Sequence, residues 1–292
     1  MKYAQFAAMA ILAGVLAWGR AAHSQIPDSW TQPQKPFKVF GNTYYVGTKG
    51  LGSILITSSS GHVLIDGALP ESAKQIEHNI AALGFALREV KFILNSHVHF
   101  DHAGGIARLQ QASGAVLAVS APSAIVFKTG KTESDDPQFG SLPDIEKVAK
   151  LRVVSDGETL KVGDLEFTSH LTPGHTPGGT TWTWQSCERG RCLNMVYADS
   201  LNAISAPGYR FTDTKRAPNG AQLLETSMRK VMALPCDVPI APHPELVGLF
   251  DKLARREAGA ANNPFIDPDG CRRYVALARE RLDKRLAEEA RP

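Results

Sequence analysis

Residues 95–102 read Asn-Ser-His-Val-His-Phe-Asp-His, which places four metal-binding side chains (His97, His99, Asp101 and His102) within six positions. Imidazole nitrogens and a carboxylate oxygen suit Zn²⁺, which they bind at roughly 2.0–2.2 Å. In an extended stretch alternate side chains share a face, so His97 and His99 can grip one ion together. Asp101 and His102 then point elsewhere, toward a second ion beside the first. The chain holds nine histidines in 292 residues, too few for this density to be ordinary loop composition. The chemistry expected is that of a dinuclear zinc enzyme.

Two further histidines have the setting of ligand presenters. His175 lies in Thr-Pro-Gly-His-Thr-Pro-Gly (172–178), where prolines fix the backbone and glycines permit sharp turns. His243 lies in Ala-Pro-His-Pro (241–244), pinned by proline on both sides after the apolar Val238-Pro-Ile. His62, His78 and His170 read as structural, and His23 falls in a segment expected to be removed.

These side chains need a scaffold, and the apolar pattern supplies one. Val90–Leu94, just before the histidine string, is a buried strand, so the histidines sit in a loop leaving a strand end. Alternation predicts strands over Phe40–Val46, Ser53–Thr57 and His62–Asp66, an antiparallel meander. A helix follows over 71–83, with Ile76, Ile80 and Leu83 at helical spacing and Gly84 at its end. Short helices at Ile106–Gln111 and Ala121–Thr129 flank a strand, Ala115–Val119. A second strand-rich set covers Leu151–Thr172, Thr180–Gln185 and Leu193–Ala198. Helices at Ala221–Met232, Glu245–Ala258 and Gly270–Ala290 complete the chain. In the last, Tyr274, Ala278, Leu282 and Leu286 recur every four residues as a core stripe. Two strand-then-helix halves predict an α/β fold with two sheets face to face and helices outside, a four-layer αβ/βα sandwich. The polar loop Lys128–Lys147 is the candidate flap beside the site.

His-X-His-X-Asp-His, Thr-Pro-Gly-His-Thr-Pro-Gly, Ala198-Asp199-Ser200-Leu201, Ser205-Ala-Pro-Gly-Tyr209, Leu234-Pro-Cys236-Asp and Ala241-Pro-His243-Pro together resemble the metallo-β-lactamase superfamily. Within it the sequence is most similar to the third subclass of the class B, or zinc, β-lactamases. The resemblance runs from about Pro36 to the C-terminal helix. It implies two Zn²⁺ per chain, the first held by His97, His99 and His175 and the second by Asp101, His102 and His243. It also implies direct hydrolysis of the β-lactam amide of penicillins, cephalosporins and carbapenems by a metal-bound hydroxide, with Asp101 orienting it and handling its proton, and so antibiotic resistance. No nucleophilic Ser or Cys is required.

Ser200 matches the position where a sister subclass carries a zinc-binding Cys. A hydroxyl is a poor zinc ligand, so His102 completes the second site, and Ser200 and Asn202 are left to bind the substrate carboxylate. Tyr209 is placed to donate its phenol to the oxyanion. Two extra residues around Ala203-Ile204, compared with some members, leave the register of Asn202 and Tyr209 open. Asp66 is expected to orient the loop or a ligand histidine. Asp199 is expected outside the ligand set, supporting the strand end that carries Ser200. In the alternative, a lactonase or a glyoxalase II-like thioesterase, an Asp in this setting bridges both metals.

Met1-Lys2, the apolar run Phe6–Trp18 and the small residues Ala22 and Ser24 read as a secretory signal over 1–24, leaving one domain over 25–292. Thirteen apolar residues are short of the roughly 20 that a membrane span needs. The mature chain is therefore expected in the periplasm or medium, with no membrane association. Removing Lys2 and Arg20 lowers the formal charge of +3 by two. A near-neutral chain without basic blocks argues against a nucleic-acid partner, and small-molecule substrates are expected. Four cysteines allow three pairings. Cys187 and Cys192 face each other across a predicted hairpin, leaving Cys236 and Cys271, a pair for which the family also carries a disulfide. Export favours disulfides over zinc ligation, and no cysteine falls in the histidine cluster. The oligomeric state is not legible.

Overall fold

Short strands with apolar side chains on both faces set the architecture, because each must be covered on two sides. The computed structural model describes residues 26–215 and 218–291. The expected export signal, residues 1–24, lies outside the described residues.

The chain opens with a helical turn, α1 (Asp28–Thr31), followed by β1 (Phe37–Phe40), β2 (Thr43–Tyr45), β3 (Ile54–Ile56) and β4 (His62–Ile65). Then come α2 (Ser72–Ala82), β5 (Val90–Leu94), α3 (Phe100–Ala103), α4 (Ile106–Ser113), β6 (Val116–Val119), α5 (Ala121–Thr129) and β7 (Leu151–Val153). The second half contains β8 (Thr159–Val162), β9 (Leu165–Leu171), β10 (Thr180–Glu188), β11 (Arg191–Tyr197), α6 (Gly220–Ala233), β12 (Val238–Ile240), α7 (Leu249–Glu257) and α8 (Gly270–Glu289).

Strands β1 to β7 form one sheet in sequence order, antiparallel as far as β4 and parallel from there. The other sheet runs β12-β11-β10-β9-β8, antiparallel except where β12 lies parallel to β11. On β3 and β4, Ile54, Ile56, Val63 and Ile65 face the second sheet's Phe167, Trp182, Trp184 and Met195 in one core. Their neighbours Leu55 and Leu64 point the other way, into a second core under α2, α4 and α5. Helices α6 and α8 share the first core and cover the second sheet with Leu224, Met228, Tyr274 and Leu282. The result is the four-layer αβ/βα sandwich.

Three expectations need correction. Phe40–Val46 is a hairpin rather than one strand, because Gly41 takes φ +52° and turns the chain so that Phe40 faces Thr43. A Cβ on Gly41 would come within 2.5 Å of Ser186 Oγ, so the turn also requires the absence of a side chain. Strand β7 belongs to the first sheet, not the second: Leu151 pairs with Leu117 in parallel, and the Val154 N–H donates to Val119 O at 2.9 Å. The predicted helix over Glu245–Ala258 divides at Gly248 (φ +59°) into a 3-10 turn, Pro244–Val247, and α7.

Both cysteine pairs are bonded, Cys187 to Cys192 across the β10–β11 turn and Cys236 to Cys271 at the start of α8. Among the described residues no helix is long and apolar enough to cross a membrane.

Candidate metal centre

The ends of β5, β9 and β12 all open on one rim of the sandwich, and the candidate ligands leave from these ends. His97 and His99 lie in the extended link between β5 and α3, while Asp101 and His102 ride on the single turn of α3. That turn was not foreseen, because four residues are too few to register as a helical period. His175 comes from the turn after β9 and His243 from the turn after β12. Ligand atoms of His97, His99 and His175 lie within 4.8 Å of one another, as do those of Asp101, His102 and His243. The two groups adjoin, with the His97 and His102 rings 4.4 Å apart. His62, His78 and His170 belong to neither group.

Each histidine of the first group has one ring nitrogen occupied by a fixed acceptor. His97 Nδ1 donates to Asp199 Oδ1 at 2.9 Å. His175 Nδ1 donates to the Asn202 carbonyl at 2.9 Å. His99 Nε2 donates to Asp136, 3.2 and 3.1 Å from its two oxygens. Such partners fix tautomer and ring orientation and leave the opposite nitrogen with a free lone pair. His97 Nε2, the nitrogen so freed, is buried and has no partner in the protein. In the second group, Asp101 Oδ2 lies 3.1 Å from His102 Nε2 and 3.6 Å from His243 Nε2, and the two nitrogens are 3.2 Å apart. Three lone-pair atoms converging in this way, beside an orphaned buried nitrogen, fit a pair of cations of the zinc type.

The electrostatics agree. Burial, reinforced by the neighbouring imidazoles, pushes His97 far below its ordinary value. Burial and His99 push His175 down to about 3, and burial with His102 pushes His243 down to about 4. These rings therefore stay neutral, as ligation requires. Burial alone would raise Asp101, but His102, His243 and His99 together hold it well below the usual carboxylate range. Burial would lower His102, and its contact with Asp101 reverses the direction.

Two buried aspartates build the frame. Asp66 takes φ +59°, a conformation few side-chain-bearing residues adopt. Its carboxylate accepts from Asn95 Nδ2, Ser96 N, Ser96 Oγ and Tyr197 Oη, all at 2.6–2.9 Å, so it holds the histidine loop rather than a ligand ring. Asp199 is the partner of His97, a closer role than the support of a strand end expected of it. It belongs to neither ligand group, so the bridging position of the thioesterase alternative is not formed. Gly179 makes this possible: a Cβ there would lie 2.2 Å from Asp199 Oδ2. Burial pushes the Asp199 carboxyl well above the usual range.

Other expected residues are placed differently. Tyr209 packs edge-on against Phe211, ring centroids 5.1 Å apart, and does not line the cavity over the ligands. Ser200 is fully buried, with its hydroxyl unpartnered, and it too is absent from the cavity wall. Asn202 does line the cavity, but its side-chain oxygen accepts from Arg281 Nη1 at 2.7 Å. The sequence does not single out Asp136: its loop reads only as polar, and one Asp among paired acids carries no local sign that it faces a histidine 37 residues away. Trp30 of α1 packs against the His243 ring, tilted at 37° with centroids 5.5 Å apart.

The cavity has a volume of about 910 Å³. His99, Asp101, His175 and His243 form its floor, Trp30, Leu142 and Ile204 give it apolar walls, and Arg281 and Lys284 line its α8 side.

The family model of the metallo-β-lactamase superfamily matches residues 53–187. Among solved structures the chain is similar to the Rm3 metallo-β-lactamase, with 51% identity, a TM-score of 0.88, and coverage of 90% of this chain and 97% of that one. It is also similar to MEM-A1, a subclass B3 metallo-β-lactamase isolated from a soil metagenome library, with 49% identity, a TM-score of 0.87 and coverage of 89% and 98%. A probable metallo-hydrolase of Burkholderia pseudomallei is 30% identical over 168 residues, 56% of this chain and 54% of that protein. The chain thus spans about half the length of the curated relatives it matches. Of the residues aligned with a solved metallo-β-lactamase, over nearly the whole of that molecule, 51% are identical, and the chain belongs to the metallo-β-lactamase superfamily, beside relatives of subclass B3.

Proposed function

We propose that this protein is an exported zinc β-lactamase that opens the lactam amide of penicillins, cephalosporins and carbapenems and so confers resistance to them. The observation that carries the reading is the pair of adjoining ligand groups, His97, His99 and His175 beside Asp101, His102 and His243, of which His99, Asp101, His175 and His243 line one open cavity. Two zinc ions held there would supply Lewis acidity and lower the pKa of water toward neutrality.

The chain's own groups account for the remainder. Asp101, ionised and lining the cavity, orients the attacking water and accepts its proton at the carboxylate. The partners of His97, His99 and His175 keep the first group rigid, so little reorganisation is needed when charge develops. Trp30, Leu142 and Ile204 exclude water from the apolar part of a bound substrate. Asn202, held by Arg281, and the cationic side of α8 offer donors to the substrate carboxylate. Release of residues 1–24 delivers the protein to the periplasm or medium, where both disulfides persist.

The test is hydrolysis of nitrocefin and a carbapenem by the purified chain from residue 25, with chelator and with zinc restored. An acyl-homoserine lactone and a glutathione thioester serve as competing substrates. Chelator-sensitive β-lactam turnover with little of the other two supports the reading; turnover of the lactone or thioester alone refutes it. Processing is checked by the N-terminal sequence of protein recovered from the periplasm.

A further inference from the structure

His97 and His175 take their partners from chain that leaves the second sheet, Asp199 and Asn202 just beyond the end of β11. His99 does not. Its partner comes from the 21-residue connection between α5 and β7, a long polar loop beside the site. Both Asp136 oxygens lie within 3.2 Å of His99 Nε2, and each residue is only 3% exposed. The loop is shaped around this contact. The Asp136 N–H donates to Glu133 O at 3.1 Å, Asp136 Oδ1 accepts from Gln138 N at 2.7 Å, and the Phe139 N–H donates to Asp136 O at 3.0 Å. One residue on, Pro137 O accepts from the Ala206 N–H at 2.8 Å, tying this loop to the segment whose Asn202 carbonyl holds His175.

We infer that Asp136 is a positioning residue for the first metal site: it selects the His99 tautomer and aims the ring, so that the loop 130–150 is a working part of the metal centre. The inference rests on the reading of His97, His99 and His175 as a zinc site. With Nε2–H committed to Asp136, the His99 lone pair resides on Nδ1, the atom turned toward Gln138 Nε2 at 3.3 Å. Without the carboxylate both tautomers and several ring angles become accessible, and the charge that strengthens the ring as a donor is lost. Removing such a partner lowers metal affinity by about 10- to 100-fold.

The experiment is zinc titration of the metal-free full-length mature chain in competition with a chromophoric chelator, for wild type, Asp136→Ala and Asp136→Asn. Asn retains an oxygen at the Oδ1 position, and so the loop hydrogen bond from Gln138 and an acceptor for His99. The expected result is two ions in wild type. In Asp136→Ala one of them should bind about 10- to 100-fold more weakly while the other is unchanged, and Asp136→Asn should recover most of the loss. The Co²⁺-substituted spectrum should change in the band of the weakened site alone. Wild-type affinity for both ions in Asp136→Ala, or equal weakening of both, overturns the inference. A wild-type chain that binds no zinc overturns the zinc-site reading and this inference together.

Discussion

Breaking the Cys236–Cys271 bond should cost this protein about twice as much stability as breaking Cys187–Cys192, without dismantling the site. The first bond joins residues 35 apart and the second residues 5 apart. In the chain-entropy model these separations correspond to about 4 and about 2 kcal/mol at 25 °C, through restriction of the unfolded chain. The native state should change little. Helix α8 stays docked through Tyr274, Val275, Ala278 and Leu282, all at most 3% exposed, and burial of the larger side chains among them contributes about 1.5–3 kcal/mol each. Its contacts with the site, Tyr274 Oη donating to Asp199 O and Arg281 donating to Asn202, should survive. Urea denaturation of the metal-free Cys236→Ala/Cys271→Ala and Cys187→Ala/Cys192→Ala variants measures both costs, and zinc binding of each folded variant checks the site. Equal losses, or a greater loss for the hairpin pair, would refute the entropic argument. Loss of zinc binding in folded Cys236→Ala/Cys271→Ala protein would show that the bond holds α8 against the site directly.

Asp101→Asn should remove the second ion's charged ligand and the proton acceptor at once, lowering turnover by about three powers of ten or more, roughly 4 kcal/mol; β-lactam turnover with metal analysis tests this. Asp199→Asn should instead weaken the ion held by His97, because Asp199 contacts that ring and no other candidate ligand; chelator competition would contradict this if the ion of the Asp101 group were lost instead. Metal-free protein should lose stability as pH falls from 6.5 toward 4. The unfolded histidines take up protons near 6.5, whereas folded His175 and His243 resist down to about 3 and 4, and His97 is lowered too. His170 is lowered as well, whereas the raised Asp66, Asp199, His102 and Glu245 act in the opposite sense, and a denaturation midpoint that does not fall across that range refutes the histidine argument. Zinc should raise the midpoint at pH 7, and this effect should fade as pH falls toward about 4 and then 3, where folded His243 and His175 take up protons that compete for the ligands.

How much of this was legible without coordinates differs residue by residue. The string from His97 to His102 announces its chemistry because ligand type and close spacing are local properties. The proline- and glycine-bounded His175 and His243 are legible for the same reason. Strand β5 and helix α5 have their observed boundaries in the apolar pattern, and the stripe on α8 is buried as its four-residue spacing requires. What spacing could not reveal is which atoms meet across the fold. Asp199 and Asp136 reach their histidines from 102 and 37 residues away, and Tyr209 turns onto Phe211 rather than the cavity. The strand Leu151–Val153 likewise reads alike for either sheet, because a local pattern records that a segment is extended and not which neighbour it pairs with. Sequence determined which groups can bind metal and that rigid strand ends present them. Tertiary structure decided which nitrogen of each ring is free to do so, because that depends on an acceptor delivered by a distant segment.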